Sequence, residues 1–181
     1  MRHNKRESAS FRDPSGFLFW RDGVLYRQIN QTYQDDFIFL NESGLYQNLI
    51  EEDLLIPHKE VNTDPYEPEK AFRVICPERI PFISYPYEWC FGQLKDAALT
   101  TLAIQKNALA HDMSLKDSSA YNIQFRRGKP ILVDTLSFEK YKEGLPWTAY
   151  RQFCQHFLAP LALMSYIDVR MSQLLKIYIN Q

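Results

Sequence analysis

Glycine is scarce in this chain of 181 residues. There are six, at positions 16, 23, 44, 92, 128 and 144, and no two of them form a GxG pair. A strand–GxGxG–helix turn, in which backbone amides close on the phosphates of a dinucleotide, is therefore excluded. Cysteine is equally thin: Cys76, Cys90 and Cys154 are odd in number, widely spaced and without a CxxC. That pattern excludes a disulfide framework and a zinc knuckle, and reduced thiols in a cytoplasm are the simplest reading. Neither sign of charge dominates, since the formal net charge is −1, so nothing marks an electrostatic nucleic-acid binder. No apolar run reaches eighteen residues, and the polar, basic start at Met1–Ser10 has no hydrophobic stretch behind it. Neither a membrane span nor a signal peptide is expected.

What is abundant is aromatic: Phe, Tyr and Trp make up 14% of the chain, which favours a packed core over disorder. The length suits one domain or two small lobes. Phe17–Trp20, Asp22-Gly23 and Val24–Ile29 read as a β-hairpin, because Asp-Gly is a strong turn signal between β-prone runs. Asp13-Pro14-Ser15-Gly16 is another turn, so a further strand is expected around Ser10–Arg12, after a frayed tail over 1–9. Residues 33–53 suit one helix or two split near Ser43-Gly44, and 57–70 is rich in Pro and acids and reads as loop. Phe72–Cys76 and Phe82–Tyr85 look like short strands hemmed in by Pro77, Pro81 and Pro86. Residues 92–110 are the longest helix candidate. Asn122–Phe125 and Ile131–Val133 flank a turn at Gly128, and from Trp147 onward the chain reads helical, broken at Pro160.

The most informative stretch is Leu115-Lys116-Asp117-Ser118-Ser119-Ala120-Tyr121-Asn122, followed by Ile131-Leu132-Val133 and Asp134. An Asp, an Asn five residues on, and a second Asp after a short apolar strand is the order used for phosphoryl transfer on a protein-kinase-like fold. One carboxylate orients the attacking hydroxyl, while a carboxamide oxygen and the second carboxylate hold a metal ion against nucleotide phosphates. Asp117 is thus the candidate catalytic residue, and Asn122 and Asp134 the candidate Mg²⁺ ligands.

The blocks assemble into an α+β, kinase-like bilobal fold: a β-rich amino-terminal part over 10–86 and a mainly helical part over 87–181. The chain resembles the protein-kinase-like superfamily, including its aminoglycoside and choline kinase-type branch. More closely, Phe11–Phe17, Ile80–Cys90, Ser114–Asp117 and Tyr150–Phe157 resemble the amino-terminal region of bacterial nodulation-related, class I S-adenosylmethionine-dependent methyltransferase proteins. That resemblance covers residues 10–178 and implies a methyltransferase domain further along, in cis or in trans. With no glycine-rich turn, S-adenosylmethionine is not expected to bind these residues. The ending at Tyr178–Gln181 hints at truncation.

Against the kinase pattern, only Gly16 and Gly23 are available for a phosphate-covering loop, and Arg27 stands where the strand lysine would be. Arg27 is a candidate nucleotide contact or a solvated strand arginine, and the helix acid to pair with it could be Glu42, Glu51 or Glu52. Glu88 and Trp89 lie where backbone groups would meet an adenine ring, which makes Glu88 the other candidate cofactor contact. Asp134 is followed by Thr135-Leu136, without a Phe-Gly hinge. Each candidate also has a structural reading. Asp117 and Asn122 could cap turns, His111 and His156 read as structural, and Arg126, Arg127 and Lys129 as a solvated hairpin tip. Two functions follow. One is a module that binds ATP and Mg²⁺ with weak phosphoryl transfer to a small-molecule substrate. The other is a non-catalytic, pseudokinase-like region that recognises a partner or substrate for a methyltransferase.

Overall fold

A computed structural model describes residues 4–7 and 13–177. The fold is α+β, an antiparallel sheet followed by a mainly helical part, as expected from the sequence. Strands β1 (Asn4–Arg6), β2 (Gly16–Arg21), β3 (Val24–Asn30), β4 (His58–Glu60) and β5 (Ala71–Pro77) form one antiparallel sheet in the order β1-β2-β3-β5-β4. Asp22 and Gly23 both take positive φ, 50° and 80°. Their twist matches that of the flanking strands, so the Asp-Gly turn closes the β2–β3 hairpin as expected. The expected tail gives way at Asn4–Arg6 to an edge strand paired with Phe19–Arg21. The strand expected near Ser10–Arg12 lies outside the described residues.

Between β3 and β4 run α1 (Gln34–Glu42) and α2 (Leu45–Glu51), split at Gly44, whose φ of 80° only glycine adopts without strain. One face of the sheet packs Ile29 and Ile75 against Tyr33 and Phe37. The other packs Phe17, Phe19 and Val74 under Tyr66.

Helix α3 (Phe91–Ala110) is the backbone of the second part. It buries Leu94, Ala97, Ile104 and Ala108 in the main core, with Leu45 and Leu49 of α2 and Phe153 and Phe157 further on. Two small antiparallel pairs follow: β6 (Met113–Leu115) with β9 (Phe138–Lys140), and β7 (Ile123–Arg126) with β8 (Lys129–Leu132). The sheet part is stitched to the β7–β8 hairpin through Leu54–Ile56, where Leu132 N donates to Leu54 O (2.9 Å) and Ile56 N to Leu132 O (2.8 Å).

Three expectations are corrected. Phe82–Tyr85 is not a strand, because Pro81 and Pro86 remove ladder donors and the backbone of Ser84 is engaged by a side chain instead. His58–Glu60, read as loop, is β4. The carboxyl-terminal helix is not broken at Pro160. Helix α4 (Tyr150–Phe153) runs through a wide π turn, Cys154–Leu158, into α5 (Ala159–Tyr166). Pro160 has no N–H to give and its ring crowds the carbonyl a turn earlier, and the widened turn absorbs both. A short α6 (Leu174–Ile177) closes the described chain.

Candidate functional site

The stretch from Asp117 to Asn122 forms the link from β6 to β7, and Asp134 leaves the end of β8. Ser137 draws them together. Its carbonyl accepts from Lys116 N (2.8 Å) and Asp117 N (3.4 Å), and its own N–H donates to Asp134 O (3.3 Å). Its hydroxyl accepts from Asn122 Nδ2 (3.4 Å), and Val133 N donates to Asn122 O (2.8 Å). The three candidate residues therefore belong to one interlocked pair of loops.

The first loop is pinned from beneath. Asp117 Oδ1 accepts from Ser119 N (2.9 Å), Gln152 Oε1 from Ser118 N (2.7 Å), and His156 Nδ1 from Ala120 N (3.3 Å). Ser119 Oγ lies 3.2 Å from the same His156 nitrogen. Burial pushes the His156 pKa down, partly offset by the negative charge of Asp117. A neutral ring keeps Nδ1 free to accept, so His156 has the structural use expected of it. His156 lies within the π turn Cys154–Leu158.

Arg27 is not a solvated strand residue. It is 6% exposed, and its Nη1 lies 2.7 Å from Asp134 Oδ1. The acid that reaches it is Asp134, 107 residues on, not Glu42, Glu51 or Glu52. The same carboxylate oxygen accepts from Leu136 N (2.9 Å), while Arg27 Nε is buried without a partner. His58, two strands away, feels that charge: burial first, and then Arg27, hold its pKa at about 4.

Above the loops, Lys116 Nζ donates to Ser15 Oγ (2.8 Å), in the turn before β2, and sits 4.4 Å from the centroid of the Tyr33 ring. Tyr33 donates to Phe138 O (2.8 Å), and its pKa is raised by burial and by Asp36 and Asp134. Leu136 is buried against Gly16: a Cβ at position 16 would lie 2.2 Å from Gln28 O and 2.8 Å from Leu136 Cδ1. Gly16 is thus a close-approach glycine, not a flexible one.

At the crossing segment, Glu88 is exposed and accepts from Tyr85 N (2.8 Å), capping a 3-10 turn at Pro86–Glu88. Gln124 on β7 reaches the segment instead. Ser84 N donates to Gln124 Oε1 (3.0 Å), and Gln124 Nε2 donates to Ser84 O (3.1 Å). Arg126 is also drawn in: it bridges Asp53 and Glu78 rather than lying free at the hairpin tip. A cavity of about 280 Å³ lies elsewhere, between Gln105, Ser114, Glu139, Tyr141 and Trp147.

Among the described residues no group of three or more His, Cys, Asp and Glu side chains is placed to hold a metal. Magnesium asks for less, since one or two protein ligands completed by phosphates and water suffice. Asn122 and Asp134 fit as donor types, but the charge of Asp134 is already matched by Arg27. Sequence reasoning missed Ser15, Tyr33, Gln124, Ser137 and Gln152. Only Gln124 carried a local signal, as an amide between the apolar Ile123 and Phe125.

No protein-family model matches the chain. It is similar to nodulation protein NoeA of Rhizobium meliloti (strain 1021), with 33% identity over 166 residues, 91% of this chain. The resemblance to nodulation-related proteins read from its motifs is shown by that match. The chain spans 34% of the length of this relative. Among solved structures, vaccinia related kinase 3 is similar with a TM-score of 0.44 and 11% identity, over 77% of this chain and 49% of that one. At that score the likeness carries no argument. No helix among the described residues is long and apolar enough to cross a membrane.

Proposed function

We propose that this chain is a non-catalytic, kinase-like module whose cleft is held closed by its own side chains. It serves as a cytoplasmic recognition or support region for a larger nodulation-related assembly. The observation that carries this reading is the ion pair between buried Arg27 and half-buried Asp134. The cation that would grip nucleotide phosphates and the carboxylate that would hold Mg²⁺ neutralise each other. Opening such a pair without replacement costs about 3–5 kcal/mol, because it leaves a charge uncompensated in a poorly solvated place. Two further contacts support closure. Lys116 is tied to Ser15 across the cleft, and Gln124 occupies the backbone groups of Ser84. The partner is a methyltransferase domain, in cis or in trans, as the sequence resemblance implies.

A second reading, binding of ATP and Mg²⁺ with slow phosphoryl transfer, is favoured by the gathering of Asp117, Asn122 and Asp134 around Ser137. In it Asp117 orients the acceptor hydroxyl, Asn122 and Asp134 hold the metal, and Arg27 turns from Asp134 to the phosphates. Bound Mg²⁺ would supply charge neutralisation for the phosphoryl group. Thermal melting with and without ATP and Mg²⁺ separates the two. The closed module melts at the same temperature in both. Ligand at a hundred times its dissociation constant would add about 2.7 kcal/mol of stability if the second reading held.

A further inference from the structure

The cavity of about 280 Å³ lies off the cleft, since its lining includes none of Arg27, Asp117, Asn122 and Asp134. Its polar side is built, not incidental. Ser114 and Glu139 are directly paired across β6 and β9, so their side chains stand on one face of that ladder. Gln105 of α3, 7% exposed, reaches the same place. Its Oε1 accepts from Leu115 N (2.8 Å), and its Nε2 donates to Ser114 Oγ (3.0 Å). The half-buried Glu139 carboxylate accepts from the Thr148 hydroxyl through Oε1 (2.6 Å), which leaves Oε2 to accept from something else.

The other side is aromatic. Trp147 is fixed by donation from its Nε1 to Leu115 O (2.7 Å) and by its packing on Phe153, with ring centroids 5.6 Å apart. Tyr141 stands exposed at the rim. Two lysines also border the cavity. Lys140 is turned to the Phe39 ring at 5.2 Å, and Lys142 is exposed, so its charged head stays in water. The volume falls just below the range of about 300–1,000 Å³ that holds drug-sized ligands, which suits one long side chain and not a nucleotide.

A carboxylate, a hydroxyl and an aromatic wall call for a planar cation with several N–H donors. A guanidinium is that group: always charged, forked to meet a carboxylate, and flat enough to stack on an indole. An ammonium matches the carboxylate alone. We infer that this cavity is a socket for an arginine side chain presented by the partner protein, with Glu139 as its counter-ion and Trp147 as its stacking wall. The inference rests on the recognition-module reading and names the side chain by which the partner is held.

The test is a titration of the full chain with Nα-acetylarginine amide, followed by the indole N–H signals of Trp20, Trp89 and Trp147. The Trp147 signal, assigned by its loss in Trp147→Phe, should move saturably at millimolar probe while the other two hold still. Nα-acetylcitrulline amide, of the same shape without the charge, should leave it in place, and Nα-acetyllysine amide should bind more weakly than the arginine probe. Glu139→Gln still accepts from Thr148, and should weaken the arginine probe by about tenfold or more, the worth of a charge-assisted hydrogen bond. An unmoved Trp147 signal overturns the inference, as does an equal response to citrulline, a preference for lysine, or undiminished binding by Glu139→Gln. Should that variant not fold, the citrulline comparison in the wild type decides alone. Failure here without any response to ATP and Mg²⁺ sinks the socket only, whereas a saturable response to ATP and Mg²⁺ sinks the recognition-module reading itself.

Discussion

Replacing Arg27 with methionine should destabilise this protein far more than the loss of a surface arginine would. Methionine keeps much of the aliphatic stem, so packing on β3 is largely preserved and the change isolates the charge. Asp134, with 17% of its side chain exposed, would then lie in a poorly solvated place with only the Leu136 N–H as a partner. Breaking a buried pair from one side costs about 3–5 kcal/mol. For a chain of this size each kcal/mol moves Tm by about 2–4 °C, so the drop should be about 6–20 °C. Urea unfolding followed by tryptophan fluorescence measures the same loss as a lower midpoint at unchanged slope. The double variant Arg27→Met, Asp134→Leu should recover most of the loss, since both ions are then gone. A cost for Arg27→Met below about 1 kcal/mol, the range of exposed pairs, would refute the reasoning.

Gly16→Ala should cost about 1–3 kcal/mol, because its Cβ would meet the Gln28 carbonyl and Leu136; an unchanged urea midpoint would show that Leu136 does not pack there. His58 gives a pH dependence. Its pKa is about 4 in the fold against an ordinary 6.5, so between those values the unfolded chain binds a proton that the folded one refuses. Stability from this group is full above about pH 6.5 and falls as the pH drops towards 4, by about 3 kcal/mol at most. Urea midpoints across that window should slope less steeply in His58→Phe than in the wild type.

Much of the fold was legible because its signals are local. Asp22-Gly23 between two β-prone runs, Gly44 between two apolar helical patterns, and the twenty-residue periodicity of α3 are each written within a few neighbouring residues. Three-residue strands such as β4 and β6 were not legible. His58-Lys59-Glu60 has no apolar alternation and exists only because β5 lies beside it. The candidate site was legible as residue types, Asp117, Asn122 and Asp134, but not as a state. Whether Asp134 faces a metal or an arginine depends on a contact 107 residues away, and strand propensity at Arg27 is silent about it. The Phe82–Tyr85 assignment failed for the same reason, since the groups that would have made a ladder are claimed by Gln124, forty residues on. Pro160 misled in the opposite direction: a proline rule that ends helices does not foresee a π turn that lets one continue.

Calorimetric titration of the wild-type protein with ATP in millimolar Mg²⁺ tests the closed cleft most directly. The account predicts no saturable heat, because Arg27 and Asp134 neutralise each other and the backbone of Ser84 is taken. A saturable isotherm with a micromolar dissociation constant, abolished by Asp134→Asn, would contradict it and establish the Mg²⁺-nucleotide reading in its place.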